Sequence, residues 1–81
     1  MRIALTERAV AELAAAPFPI QRAFLKQINF LVKDIRHPSL RSKKYDEGNE
    51  RWQSRINDDW RFYFSIEEGG HSIDRIIPNP K

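Results

Sequence analysis

The chain of 81 residues is short enough to form one domain, residues 1–81, with one modest core, and its lack of cysteine excludes a disulfide framework or a thiolate metal site. Its composition, 41% hydrophobic and 31% charged, is typical of a folded protein, and a net charge of +3 is too small to indicate a nucleic-acid partner by itself. Neither a bilayer-spanning apolar run nor the apolar segment of a secretory signal is present, so we expect a cytoplasmic protein.

The N-terminal part of the sequence predicts a short strand followed by two helices. Residues 2–5 are compatible with a strand, and Thr6 is placed to cap a helix over residues 7–16. The apolar face of this helix is expected to carry Val10, Leu13 and Ala14. After "PFP", a second helix is predicted over about residues 20–35. Its apolar stripe consists of Ile20, Phe24, Ile28, Leu31 and Ile35. Because the connection is short, the two helices should form an antiparallel hairpin.

The remaining residues predict a small sheet. Pro38 ends the second helix, residues 40–45 are compatible with a strand, and "DEGNE" at residues 46–50 is a turn. Three strands follow, separated by tight turns, with the sequences "WQSRIN", "WRFYFSIE" and "HSIDRII". We therefore predict an α+β fold, in which the N-terminal strand and the helical hairpin pack on one face of a small twisted antiparallel sheet.

Strict alternation gives the first two of these three strands two different faces. The core face is expected to carry Trp52, Ser54, Ile56, Trp60, Phe62, Phe64 and Ile66. The opposite face is expected to carry Gln53, Arg55, Asn57, Arg61 and Tyr63. In the last strand the apolar phase changes between Ile73 and Ile76, so either strand end can carry a bulge, and the period alone does not assign Arg75 to a face.

The polar face combines groups that suit a phosphodiester. Arg55 and Arg61 lie on neighbouring strands, so their guanidinium groups can converge, and a guanidinium binds phosphate oxygens bidentately. Tyr63 adds a ring on which a base can stack, and Lys43 and Lys44 bring further positive charge to the rim. Exposed sheet faces also carry arginine and tyrosine for solubility and cross-strand pairing, so the pattern alone leaves both interpretations open.

A longer pattern resembles the RelE/ParE superfamily of bacterial toxins. "HPSL" with a following lysine-rich segment, then "RWQSRINDDWRFYFSI" and the closing "IDRIIPNPK", are similar to that superfamily over nearly the whole chain. The segment "WQSRINDDWRFYF" is most similar to the YoeB and HigB branches. The resemblance implies a microbial-ribonuclease-like fold and, as in RelE, YoeB and HigB, cleavage of messenger RNA on the ribosome without a metal or another cofactor.

The resemblance also implies roles for particular residues. Arg61 matches the arginine that is expected to hold the phosphorane, and Arg55 matches the basic residue on the preceding strand. Lys43 lies near the position where YoeB-like members carry a glutamate base. These three are the predicted catalytic residues. The predicted RNA-binding residues are Lys44, Gln53, Tyr63, Arg75 and Lys81.

The C-terminal end departs from the family pattern. Active members usually place a histidine or tyrosine there as general acid, whereas this chain ends "IIPNPK", with Asn79 as the polar residue. ParE-type members share the fold and inhibit DNA gyrase without the nuclease residues. Three functions therefore stay open: an mRNA interferase toxin, a ParE-like gyrase-inhibiting module, and a non-toxic protein of the same fold. The first implies two partners, a cognate antitoxin and ribosome-bound messenger RNA.

Overall fold

A computed structural model describes residues 2–79 as two helices and a five-stranded sheet. In chain order the elements are β1 (Arg2–Leu5), α1 (Glu7–Ala15), α2 (Phe18–Lys33), β2 (Lys43–Asp46), β3 (Arg51–Arg55), β4 (Trp60–Glu67) and β5 (Gly70–Pro78). The strands lie in the order β1-β5-β4-β3-β2. All neighbouring strands are antiparallel except β1, which runs parallel to β5. The predicted α+β fold, with the helical hairpin on one face of the sheet, is confirmed.

α1 begins where the sequence predicts, but its buried face differs from the predicted one. The hydroxyl of Thr6 accepts a hydrogen bond from the backbone N–H of Ala9 at 3.1 Å, as a helix N-cap does. The buried residue of α1 is Ala9, and Val10 is 53% exposed. The prediction that Val10 and Ala14 face the core is therefore wrong, because the buried side of α1 is the side that carries Ala9.

The core lies between α2 and the central strands. The buried residues of α2 are Ile20, Phe24, Gln27 and Leu31. The ring of Phe24 meets that of Phe62 edge-on, with a centroid distance of 5.4 Å. On the sheet, Phe62 and Phe64 are buried as predicted, whereas Trp52 and Trp60 are only half-buried and Ile66 is 45% exposed. The alternation therefore predicted the centre of β4 correctly and overstated the burial of residues near the sheet margins.

A bulge in β5 explains why the alternation of its apolar residues changes along the strand. Tyr63 pairs with Arg75, but the next residue of β4, Phe64, pairs with Ile73, so Asp74 is the extra residue. The bulge allows both Ile73 and Ile76 to face the core, where both are buried. It also assigns Arg75 to the face opposite the helices, beside Tyr63.

An ion pair joins α1 to the edge of β5 beyond the end of β1. The carboxylate of Glu12 accepts a hydrogen bond from the backbone N–H of Ile76 at 2.9 Å and lies 2.8 Å from Nη2 of Arg75. Burial acts to raise the pKa of Glu12, but the hydrogen bonds from Arg75 and Ile76 outweigh it, and the net pKa is lowered. The ionised carboxylate thus replaces the missing strand partner of Ile76.

We predict that Glu12→Gln lowers the free energy of unfolding at pH 7 by about 1–3 kcal/mol, because a charge-assisted hydrogen-bond pair is lost. Since the folded pKa of Glu12 is below the unfolded value, its contribution is present above about pH 4.3 and is lost as the pH falls through the folded pKa. Urea unfolding curves of the two proteins should therefore differ at pH 7 and converge in acid. The matched control is Glu68→Gln, in the exposed β4–β5 turn, and equal stabilities of Glu12→Gln and wild type at pH 7 would contradict the prediction.

Candidate nucleic-acid interface

The sheet face opposite the helices, called here the open face, carries a row of paired side chains that crosses four strands. Lys43 pairs with Gln53, Gln53 with Tyr63, and Tyr63 with Arg75. Directly paired residues point to the same side of a sheet. We call these four residues the central row. Gln53 donates a hydrogen bond to the hydroxyl of Tyr63 at 2.8 Å, which fixes the middle of the row.

An arginine pair lies next to the central row, at the end of the β3–β4 hairpin. Arg55 and Arg61 are directly opposite each other on β3 and β4. The turn between them holds both side chains: Nη2 of Arg55 lies 2.6 Å from Oδ1 of Asp58, and Nη1 of Arg61 donates to the carbonyl groups of Asn57 and Trp60. The two guanidinium groups predicted to converge are therefore brought to one end of the open face.

Among residues 2–79, the hydrogen bonds of Arg61 use one of its three nitrogens, Nη1, which donates to both acceptors. A guanidinium has five N–H donors, so the Nε and Nη2 groups remain for a ligand. Within residues 2–79, neither Arg61 nor Lys43 forms an ion pair. Arg61 and Lys43 are therefore the described cations of this face that have no ion partner.

The backbone of Arg55 is held from both sides by residues outside the strand. Its carbonyl accepts a hydrogen bond from the buried Gln27 at 2.7 Å, and its N–H donates to Leu40 at 2.7 Å. The Nε of Arg55 is buried and has no partner among the described residues. An unpaired buried donor lowers the stability of the fold.

The other predicted residues are distributed differently. Lys44 pairs with Trp52 and so lies on the opposite side of the sheet from the central row, with Glu47 and Glu50 as ion partners. Arg75 belongs to the central row, although Glu12 compensates its charge and raises its pKa. The prediction for Lys81 lies outside the described residues.

Pro78 and Asn79 lie beside the turn that carries the arginine pair. The backbone N–H of Asn79 donates to the carbonyl of Asp59 at 2.7 Å, and Pro78 pairs with Trp60. Asn79 therefore lies at the turn that carries Asp58.

Sequence reasoning missed two residues that position the site. Gln27 is buried on α2 at 4% exposure, and it occurs at helical spacing with Phe24 and Leu31, where an apolar residue is usual. A polar residue at that spacing is the signal that was available. Glu12 gave no such signal, because an acidic residue in an exposed helix is ordinary and its partner Arg75 is distant in sequence.

Within residues 2–79, no helix is both long and apolar enough to cross a membrane. The same residues contain no group of three or more histidine, cysteine, aspartate or glutamate side chains placed to hold a metal ion.

Comparison with known proteins identifies solved structures that share the fold of this chain. No protein-family model and no curated protein matches the sequence. Among the solved structures that match is the RelE–RelB complex of the archaeon Pyrococcus horikoshii, with a TM-score of 0.77 and 18% identity over 95% of this chain and 92% of that one. The E. coli DinJ–YafQ toxin–antitoxin complex also matches with a TM-score of 0.77, at 7% identity over 95% and 90% of the two chains. So does the YoeB/ParE toxin from Agrobacterium tumefaciens, with a TM-score of 0.77 and 10% identity over 99% and 100%. The chain therefore has the fold of RelE, YafQ and YoeB toxins.

Proposed function

We propose that this chain is the toxin of a type II toxin–antitoxin system and acts in the cytoplasm as a metal-independent endoribonuclease on ribosome-bound messenger RNA. The observation that carries the proposal is the arginine pair, Arg55 and Arg61, next to the central row on the open face. Two guanidinium groups and an aromatic ring on one exposed surface suit a phosphodiester with its adjoining bases. The shared fold with RelE, YafQ and YoeB toxins supports the same assignment.

The reaction makes three demands on the protein. The 2′-oxygen of a ribose attacks the adjacent phosphorus and loses its proton, and the bond from phosphorus to the 5′-oxygen breaks as that oxygen gains a proton. Between these events negative charge accumulates on the phosphorane oxygens. Fixed donors directed at that charge lower the barrier, because they need no reorganisation during the reaction.

We assign the phosphorane to the arginine pair. The Nε and Nη2 groups of Arg61 can bind two phosphorane oxygens bidentately, since its Nη1 is already anchored to the turn carbonyls. Arg55 binds the phosphorane from the neighbouring strand, but its ion pair with Asp58 reduces the stabilisation that it provides. Lys43, which has no ion partner within residues 2–79, stabilises the negative charge that develops on the 2′-oxygen.

The central row binds the RNA on either side of the reacting phosphate. Tyr63 offers a ring for stacking, and its hydroxyl, which accepts from Gln53, keeps its own proton for donation. Arg75 contributes hydrogen-bond donors more than net charge, because Glu12 neutralises it. Lys44 is outside this row and has no role in the proposed site, whereas Lys81 stays a predicted RNA-binding residue.

A ParE-like gyrase inhibitor is the second candidate, and one observation favours it. Asn79 lies beside the turn of the arginine pair, where a general acid would be needed, and an amide does not transfer a proton at neutral pH. In that case the open face would serve for contact rather than for cleavage.

The deciding experiment is induction of the chain in a bacterial host, followed by primer extension on abundant messenger RNAs and a supercoiling assay with purified gyrase. We expect growth arrest and new 5′ ends within translated regions, and the ends should disappear when translation initiation is blocked. Intact messenger RNA with inhibited supercoiling would replace the proposal with the ParE-like function. Neither effect, with a folded protein, would identify a non-toxic member of the fold.

We also predict a cognate antitoxin, because an unrestrained nuclease of this kind would stop the growth of its own cell. A segment of the antitoxin that is disordered when free should fold on this chain, and its acidic residues should neutralise the open face around Arg61 and Lys43. Co-expression with the product of the neighbouring gene should restore growth and give a complex that copurifies. A neighbouring protein that binds with the same affinity after the double substitution of Lys43 and Arg61 by glutamate would contradict the predicted contact.

A further inference from the structure

The outer side of α2 carries exposed apolar side chains that the core does not use. Phe18, Leu25 and Val32 are 66%, 59% and 37% exposed, and they are three of the six large hydrophobic side chains that are exposed among the described residues. They are spaced seven residues apart. A helix rotates by only about 20° over that interval, so the three side chains follow one line along about 21 Å of α2. We call them the apolar line.

The regular spacing makes the apolar line more than a scatter of exposed residues. Single apolar side chains are ordinary on a protein surface and need no partner. A repeat of seven residues, in contrast, is typical of a helix seam that packs against a second helix. The inner stripe of α2, which includes Phe24 and Leu31, is already buried against the sheet. The helix therefore has a second apolar stripe, and this one has no partner among the described residues.

Positive charge runs beside the apolar line. Arg22, Lys26 and Lys33 are exposed, and at about 100° per residue they all project on the same side of that line. We call them the cationic line. The guanidinium of Arg22 lies over the ring of Phe18, 5.9 Å from its centroid, so the two lines adjoin. None of the three cations forms an ion pair with another residue of the range 2–79, and the sequence of α2 contains no aspartate or glutamate.

The other side of the apolar line borders α1. The side-chain amide of Gln21 donates to the carbonyl groups of Leu13 and Ala16 at 3.0 and 3.3 Å, which ties α2 to the end of α1. Ile28, seven residues after Gln21, is half-buried against the core. Charge therefore lies on one side of the apolar line only. A partner that matches this surface is apolar along one stripe and negative on one flank.

A helix with carboxylates beside its apolar stripe meets that description. In paired helices, apolar side chains at seven-residue spacing interlock, and the charges that flank them select the partner. A second copy of this chain is a poor match, because α2 has no carboxylate to place against the cationic line. A lipid surface is also a poor match, because helices that lie on membranes present a broad apolar face rather than a single line. Charge complementarity thus favours an acidic helix.

We propose that the outer side of α2 docks an acidic amphipathic helix of a partner protein, with its apolar stripe on the apolar line and its carboxylates on the cationic line. The inner side of α2 packs on the sheet through Phe24 and Phe62, so the docking surface is on the opposite side of the molecule from the open face. A helix bound there leaves the arginine pair and the central row uncovered. The inference therefore does not depend on the proposed function.

The test uses the whole chain and two synthetic helical peptides of about 21 residues, which is about six turns. Both peptides carry leucine at the seam positions, and one carries glutamate and the other lysine at the flanking positions. NMR titration measures the affinity and locates the contacts on the chain. We expect the glutamate peptide to bind at least about tenfold more tightly, with shifts centred on residues 18–33, because like charges across an interface repel. Equal affinities, or binding of neither peptide, would overturn the proposal.

Charge reversal on the chain should reverse the preference. The triple variant Arg22→Glu, Lys26→Glu and Lys33→Glu should bind the lysine peptide more tightly than the glutamate peptide. The matched control Lys43→Glu, at an exposed residue of the open face, should keep the preference of the wild type. Leu25→Asp should weaken the glutamate peptide at least about tenfold, since it places a charge in the apolar line. Circular dichroism verifies each fold, and if the triple variant does not fold, the two peptides on the wild-type chain decide alone.

Three further measurements address other occupants of the surface. Sedimentation would identify a second copy as the occupant if the chain were a dimer that Leu25→Asp dissociates. Vesicles of phosphatidylglycerol and phosphatidylcholine would identify a lipid surface if they bound the chain while neither peptide did. Displacement of a bound 2′-O-methylated RNA by the glutamate peptide would move the docking site to the open face. Each of these results would overturn the proposal, whereas selective binding of the glutamate peptide by a chain that cleaves no messenger RNA would overturn the proposed function alone.

Discussion

Arg61→Ala is expected to lower the rate of messenger RNA cleavage by about 10²–10³-fold, the usual cost of removing one preorganised donor to developing negative charge. Arg61 is half-buried on the open face and contacts the carbonyl groups of Asn57 and Trp60, so its loss removes little packing. We therefore expect a folded, inactive protein. The measurement is single-turnover cleavage of messenger RNA on purified ribosomes, with circular dichroism to verify the fold.

Three further variants sharpen this prediction. Arg61→Lys should recover only part of the rate, because an ammonium group cannot bind two phosphorane oxygens bidentately. Arg55→Ala should have a smaller effect, since Arg55 is already paired with Asp58. The matched control is Arg22→Ala, an exposed arginine on α2 whose guanidinium lies over the ring of Phe18, away from the open face. A folded Arg61→Ala protein that cleaves at the wild-type rate would show that the arginines of this face serve solubility alone.

The sequence predicted the centre of the fold because its signals there are local. The alternation in β4 assigned Phe62 and Phe64 to the core and Arg61 and Tyr63 to the opposite face, and the structure agrees. It failed for Val10, because a helix with many alanines has a weakly defined apolar face and the depth of packing decides which side is buried.

The site was only partly predictable, since two bulges shape it. A bulge depends on pairing with a neighbouring strand, so the alternation of residues within one segment does not predict its position. The extra residue Asp74 aligns Arg75 with Tyr63, and the extra residue Tyr45 places Asp46 opposite Arg51. Lys43 and Lys44, adjacent in sequence and predicted together, lie on opposite faces of β2 because neighbouring strand residues alternate.

The largest effect on stability is expected from Phe62→Ala, which should lower the free energy of unfolding by about 3–5 kcal/mol. Phe62 is completely buried, and its ring lies 5.4 Å from that of Phe24 and 5.7 Å from that of Phe64, so the substitution leaves a cavity where the helices meet the sheet. A domain of this size is stabilised by about 5–15 kcal/mol in total. Urea unfolding at pH 7 measures the change, and Phe18→Ala, at a ring that is 66% exposed, should stay within about 0.5 kcal/mol of wild type.

Phe62 and Arg61 are consecutive residues of β4, so the two alanine variants separate stability from chemistry. Phe62→Ala should lose cleavage only in proportion to the fraction of unfolded chain, and activity should return when low temperature or a stabilising partner restores folding. Arg61→Ala should stay inactive under every condition in which it is folded. If Phe62→Ala were as stable as wild type, the assignment of Phe62 to the core and of Arg61 to the open face would be wrong, because consecutive strand residues point to opposite sides of the sheet.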